Sequence, residues 1–110
     1  MQNKKLSVDT KVVHGNKSYE ENTGAISFPI YQSATFRHPN FNKSTGYDYS
    51  RQQNPTREEV ERVVANLEQG IRGFGFSSGM AAITTLLTLF KPKDHIIVSE
   101  DLYGGTYRIF

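Results

Sequence analysis

The chain has 110 residues, the size of one small domain or part of one. Thirteen basic residues against eleven acidic ones leave a net charge of +2, too weak and too scattered to point to nucleic acid. There is no cysteine, which excludes disulfides, thiolate metal sites and cysteine nucleophiles.

Residues 1–50 read as an extended arm. The opening Gln2-Asn-Lys-Lys-Leu-Ser-Val-Asp9 is basic but carries no apolar core of a secretory signal. Lys4, Lys5, Lys11 and Lys17 read as a solvated arm rather than a binding patch. Ser7 caps a short helix predicted to run to about His14, where Gly15 stops it. From Asn16 to Ser50 no period is sustained. Gly24, Pro29, Pro39 and Gly46 punctuate the segment, with Phe28, Tyr31, Phe36, Phe41, Tyr47 and Tyr49 between them. Such a segment cannot bury its aromatic rings alone, so it is expected to lie on another surface, in its own chain or a partner's. Its aromatic content is too high for a low-complexity tract.

The second half, residues 51–110, changes character. Asn54 is a helix cap with Pro55 at the first position. Glu58, Glu59 and Glu61 lie early, where the helix dipole favours acids. Val60, Val63, Val64 and Leu67 follow the spacing of one buried face, and Gly70 is expected to end the helix. A strand is predicted over Gly73–Ser77, a tight turn at Ser77–Met80, and a buried helix over Met80–Phe90. That apolar run is far short of the roughly 20 residues that span a bilayer, and threonines interrupt it. A loop at Lys91–Asp94, a second strand at His95–Ser99 and a further helix opened by Tyr103-Gly-Gly-Thr106 follow. Strand, helix, strand, helix is the α/β pattern. Two parallel strands do not make a stable sheet, so a larger α/β domain is expected, with the chain stopping inside its last helix.

Three elements carry chemistry. In Ser77-Ser-Gly-Met80, the unpartnered N–H groups at a helix start suit a phosphate; an ordinary cap is the plainer alternative. In Tyr49-Ser-Arg51, an extended chain would put both side chains on one side, ready to clamp an anion; a surface arginine beside a packed tyrosine is the alternative. Tyr103 follows the carboxyl end of a predicted strand, where α/β proteins place ligands, and could stack on a planar cofactor; a turn with a half-buried tyrosine is the alternative. His14, His38 and His95 form no metal set and read as structural or solvent-facing. Neither G-x-x-x-x-G-K nor G-x-G-x-x-G occurs, which argues against a plain nucleotide-binding module.

Order and spacing together are more specific than any one element. Thr10-Lys-Val-Val-His14, Thr23-Gly-Ala25, Pro29-Ile-Tyr-Gln-Ser-Ala-Thr-Phe36, Tyr49-Ser-Arg51, Asn54-Pro-Thr-Arg57, Leu67-Glu68, Ser78-Gly-Met-Ala-Ala-Ile83 and Tyr103-Gly-Gly-Thr-Tyr-Arg108 resemble the pyridoxal-phosphate (PLP) enzymes of cysteine and methionine metabolism. The resemblance runs from about Thr10 to Phe110 and covers the cystathionine synthases and lyases, methionine γ-lyase and the O-acylhomoserine sulfhydrylases. It implies an N-terminal arm over 1–50 contacting a neighbouring subunit. The start of an aspartate-aminotransferase-like (type I) large domain would follow over 51–110.

As the resemblance implies, Tyr49 and Arg51 bind the phosphate of a cofactor held by a neighbouring subunit. The amides of Gly79 and Met80 hold that phosphate from the cofactor's own subunit. Tyr103 stacks on the pyridine ring and takes part in proton transfer. The implied cofactor is pyridoxal 5'-phosphate. The implied partners are a small sulfur amino acid substrate and further copies of the chain, a dimer of dimers, with no nucleic acid and no membrane. A soluble, cytoplasmic protein is expected. The implied activity of the complete enzyme is elimination or replacement at the β- or γ-carbon of a sulfur amino acid.

The short run from Phe36 to Tyr49 is more like the cystathionine enzymes than the sulfhydrylases. Gly15 directly after His14, and Gln69 where many members have glycine, depart from the pattern. None of the lysines at 4, 5, 11, 17, 43, 91 and 93 resembles the family's cofactor-carrying lysine. The 110 residues alone are therefore expected to be inactive and poorly folded. The rival is a non-catalytic truncated paralogue that binds phosphate or a full-length subunit.

Overall fold

A computed structural model describes residues 6–14 and 20–110. The elements are α1 (Val8–His14), α2 (Pro55–Leu67), α3 (Gly79–Leu87) and α4 (Gly104–Tyr107). They fall into two units, Met1–Gly75 and Phe76–Phe110. No helix among the described residues is long and apolar enough to cross a membrane.

In the first unit α1 begins as the sequence predicts. Ser7 Oγ accepts the N–H of Thr10 at 3.3 Å, and the Ser7 carbonyl accepts that of Lys11 at 3.1 Å. The expected stop at Gly15 lies outside the described residues. α1 packs on α2, and Lys11 Nζ reaches the Asn66 carbonyl at 3.4 Å. α2 starts at Asn54, whose extended backbone and side-chain bond to the Thr56 N–H (2.9 Å) form the cap, with Pro55 at the first position. Proline fits there because its missing N–H would have had no helical partner.

The end of α2 corrects the prediction. Gly70 does not take the left-handed position; Gln69 does, with φ 56°. The Gly70 N–H reaches back to the Ala65 carbonyl (2.8 Å) and the Gln69 N–H to that of Asn66 (3.3 Å), the paired bonds of a Schellman motif. The expected buried stripe of α2 is only half covered. Val63 and Leu67 are half-buried, whereas Val60 and Val64 are exposed. Beyond α2, the backbone at Gly73 passes so close to the Glu61 carbonyl that a β-carbon would overlap it.

The arm is fastened largely to its own chain. A single antiparallel bridge joins Thr35 and Tyr49, flanked by Phe36 N–H to Asp48 O (3.0 Å) and Ser50 N–H to Ala34 O (2.9 Å). Phe36 and Tyr47 stack at a tilt, 5.6 Å apart, as do Phe28 and Tyr31 at 6.1 Å. Phe41 finds no such partner among the described residues and is 94% exposed. Residues 20–25 close a turn around the Glu20 carboxylate. It accepts from the backbone N–H groups of Asn22 and Thr23 and from their side chains, and these bonds hold its carboxyl below the usual range.

The second unit departs from the expected strand–helix alternation. Residues 73–77 and 95–99 have irregular backbone, and neither finds a ladder partner among the described residues. A strand exists only through a neighbour, which apolar patterning cannot supply. α3 forms where predicted but closes at Leu87, not Phe90. The N–H groups of Thr88, Leu89 and Phe90 turn instead to carbonyls three residues back (3.1–3.2 Å), ahead of the Lys91-Pro92 step that disfavours helix.

The threonines in α3 satisfy their hydroxyls on the helix itself, Thr85 on the Ala81 carbonyl and Thr88 on that of Thr85. α3 is not the buried helix its composition predicts: Leu86 is 56% exposed, and no described hydrophobic residue is fully buried. Nine residues with only the short α4 packed against them have too little cover. α4 closes at Tyr107, with Arg108 as its C-cap, so residues 108–110 lie past the helix.

Candidate functional site

Tyr49 and Arg51 belong to the first unit. They come together, but not by the extended chain that was expected. Tyr49 starts a tight turn in which its carbonyl accepts the N–H groups of Gln52 (2.9 Å) and Gln53 (3.0 Å). The turn folds the Arg51 guanidinium over the Tyr49 ring, 4.9 Å from its centre. The Arg51 guanidinium donates to no other described residue, so its edge donors remain available while its flat face lies on the ring.

The turn is bracketed by Asn54-Pro-Thr-Arg57. Asn54 Nδ2 donates to Ser50 Oγ (2.8 Å) and to the Tyr31 carbonyl (3.1 Å). Thr56 Oγ1 accepts the Tyr31 N–H at 2.8 Å and donates to the Pro29 carbonyl at 3.3 Å. Ser50 Oγ donates to the Ser33 carbonyl. Thus one motif ties segment 29–36 to the turn that carries Arg51.

Electrostatics around the turn come from its neighbours. Tyr47 donates to the Glu58 carboxylate, and that bond, with burial and the carboxylate charge, pushes its phenol up to about 12. Asp48 accepts from Ser44 and then from His38 (2.7 Å), which together hold its carboxyl below the ordinary range. His38 is therefore a partner of Asp48 rather than a free surface group. An open groove of about 740 Å³ lies where Val12, Phe28, Tyr31, Tyr47 and Val63 meet; neither Tyr49 nor Arg51 lines it.

Gly79, Met80 and Tyr103 belong to the second unit. Ser78 is extended, and its Oγ accepts the Ala81 N–H (3.1 Å) while its carbonyl accepts that of Ala82 (3.2 Å). Gly79 and Met80 are thus the two residues of the first turn whose N–H groups the cap leaves unpartnered. A β-carbon at Gly79 would meet nothing within 4 Å. The dipole adds partial positive charge at the same point.

Tyr103 caps α4 through its carbonyl, which accepts from Thr106 (2.8 Å) and Tyr107 (3.0 Å), and its ring is 74% exposed. Gly105 sets its position. A β-carbon there would lie 2.9 Å from Met80 Sδ and 2.9 Å from Tyr103 Cε1. Thr106 is buried and its hydroxyl points to Met80 Sδ at 3.6 Å. The Met80 side chain, Gly105 and Thr106 thereby dock α4 on the start of α3, bringing a tyrosine ring to the helix that offers two free N–H groups. By its chemistry the donor set suits a phosphate-type anion, and the ring suits a flat heterocycle.

Sequence reasoning quoted Asn54 and Arg57 as motif residues but gave neither a part in this site. A signal was available for Arg57: a cation in the first turn of a helix opposes the dipole, so it needs a local reason to be there.

The sequence profile of the Cys/Met metabolism PLP-dependent enzymes matches residues 9–110. A cystathionine gamma-synthase/O-acetylhomoserine (thiol)-lyase of Bacillus subtilis is 58% identical over 94% of this chain and 28% of its own length. The crystal structure of cystathionine gamma-lyase from Lactobacillus plantarum, complexed with L-serine, superposes with a TM-score of 0.81 at 48% identity, over 94% of this chain and 27% of that one. The cystathionine gamma synthase of Xanthomonas oryzae pv. oryzae, in complex with aminoacrylate and cysteine, gives 0.84 at 34% identity, over 96% and 28%. The chain spans little more than a quarter of the length of these relatives.

Proposed function

Because the chain belongs to the Cys/Met metabolism PLP-dependent enzyme family, we propose that it builds the phosphate and ring contacts of a pyridoxal 5'-phosphate site. The whole protein would then carry out elimination or replacement at the β- or γ-carbon of a sulfur amino acid. The observation that carries this reading is the junction at α3. The two N–H groups left free by the Ser78 cap belong to Gly79 and Met80, and Gly105 holds Tyr103 against Met80.

The residues present fit the cofactor. Gly79 and Met80 N–H, left free by the Ser78 cap, bind the phosphate. Arg51 adds a charged fork whose edge remains available while Tyr49 supports its face. Tyr103, an exposed residue, offers a ring to stack and a hydroxyl, Oη, able to take or give a proton. When bound, the cofactor supplies an electron sink that labilises bonds to the substrate's α-carbon. The name of the Bacillus subtilis relative supports replacement on an acylated homoserine, and that of the Lactobacillus plantarum relative supports cleavage of cystathionine.

The resemblance assigns Tyr49 and Arg51 to a neighbouring subunit's site, within a homo-oligomer, and the arm over 1–50 to that contact.

Two measurements test the reading. The whole protein, loaded with PLP, is given O-acetylhomoserine with cysteine, and separately cystathionine, while product and keto acid are followed. PLP-dependent turnover of either is expected; none with any of them refutes the activity. Arg51→Ala and Tyr103→Ala subunits are then mixed. If Arg51 serves the neighbour's site, each mixed dimer holds one site with both residues intact and recovers about half of wild-type activity. If it serves its own, every site keeps one lesion and the mixture stays at the level of the two variants, the Arg51→Ala sites having lost a charged contact of about 1.5–3 kcal/mol. No recovery in mixed dimers shown to have formed refutes the cross-subunit assignment.

A further inference from the structure

Arg57 stands six residues after Arg51 on the first turn of α2, and its guanidinium points back at the turn rather than out to solvent. One terminal nitrogen donates to the carbonyls of Ser50 (3.5 Å) and Arg51 (3.4 Å); the other donates to that of Gln52. Its Nε pairs with Glu61 Oε1 at 3.5 Å, one helical turn on. That same carboxylate oxygen accepts the Gly75 N–H at 2.7 Å, and a β-carbon at Gly75 would press on the Arg57 stem at 3.3 Å.

A guanidinium has five N–H groups, and these bonds use most of them, so Arg57 has no fork left for an anion. Three successive carbonyls otherwise face water at an exposed turn. Gathering them on one planar cation fixes the turn's shape, and with it the direction in which Arg51 leaves the backbone. Glu61 and Gly75 in turn fix Arg57.

We propose that Arg57, braced by Glu61, is a positioning residue for phosphate binding: it holds the 49–52 turn so that Arg51 presents its edge to the cofactor's phosphate. The proposal rests on the assignment of Arg51 made above.

The test uses the apo form of the whole protein, titrated with PLP and with pyridoxal, which has the same ring and aldehyde but no phosphate. Bound cofactor is read by absorbance, apart from any turnover. Arg57→Gln and Arg57→Lys are each expected to weaken PLP binding about threefold to tenfold while pyridoxal binding changes by less than about twofold. Lysine keeps the stem on Gly75 and the charge beside Glu61, but a single ammonium cannot bridge three carbonyls. It therefore carries the test if the glutamine variant fails to fold.

In an Arg51→Ala background, Arg57→Lys should add less than about twofold, because the residue through which it acts is gone. Equal losses for PLP and pyridoxal, or a full further loss on top of Arg51→Ala, would mean a merely structural role and overturn the proposal. An Arg51→Ala protein that keeps wild-type preference for PLP over pyridoxal overturns the Arg51 assignment itself, and the proposal with it. A clear Arg51 effect without an Arg57 effect overturns the proposal alone.

Discussion

Adding one methyl group at Gly105 separates the packing at the α3–α4 junction from the conformational freedom of glycine. The backbone at Gly105 is helical with no positive φ, so alanine is allowed there by dihedral angle. Its β-carbon, however, would sit 2.9 Å from both Met80 Sδ and Tyr103 Cε1, against an optimal contact of about 3.5–4.0 Å. One of the two must retreat by roughly 0.6–1 Å. Met80 is flexible but is held from behind by Thr106, so the exposed Tyr103 ring gives way first.

Overpacking of this kind costs about 1–3 kcal/mol. Gly104→Ala is the control: it adds a methyl in the same helix with nothing within 4 Å, and any helix-propensity gain is common to both variants. The whole protein should therefore be about 1–3 kcal/mol less stable with Gly105→Ala than with Gly104→Ala in urea unfolding. Its PLP affinity should also fall severalfold as the ring stack, worth roughly 0.5–1.5 kcal/mol, loosens. Equal stability and equal affinity in the two variants would refute the claim that Gly105 positions Tyr103.

Tyr47 should ionise late. Its phenol is raised from the ordinary 10 to about 12 by its bond to Glu58, so the stabilisation is complete below pH 10 and is lost as pH climbs toward 12. Phenolate absorbance of wild type minus Tyr47→Phe should show one group titrating near pH 12, and a difference curve centred at 10 would contradict the hydrogen bond. Gln69→Gly should stabilise the protein by about 1 kcal/mol, since Gln69 holds a left-handed backbone that glycine adopts without steric cost; an unchanged melting temperature would show that the strain is already relieved.

Helix starts were legible because there a residue acts on its immediate neighbours. Ser7, Asn54 and Ser78 cap helices because their oxygens reach N–H groups two or three residues on, and Pro55 fits the first turn whatever else is nearby. Anything requiring a second segment was not legible. The runs at 73–77 and 95–99 have strand-like composition, yet pairing depends on what lies alongside. The apolar surround of α3 implied burial, but burial belongs to the packing partner as much as to the helix. Gln69 hid the helix end because the next residue is the glycine that capping preference selects. Tyr49 and Arg51 lie side by side through a turn and not through the extended chain that two-residue spacing suggests, because a turn bonded to Asn54 and Arg57 involves residues beyond the pair.

The stacking of Arg51 on Tyr49 bears on how fast an anion is let go. A free arginine searches many rotamers and must surrender that freedom, up to about 2 kcal/mol, when it grips a ligand. Here the ring narrows that search before any anion arrives, and it covers a face of the guanidinium that hydrogen bonds do not use. Arrival is governed by diffusion and by charge, which the stack leaves untouched. The gain from pre-ordering therefore falls on the escape rate, and a phosphate docked on that edge would be retained longer, not captured sooner.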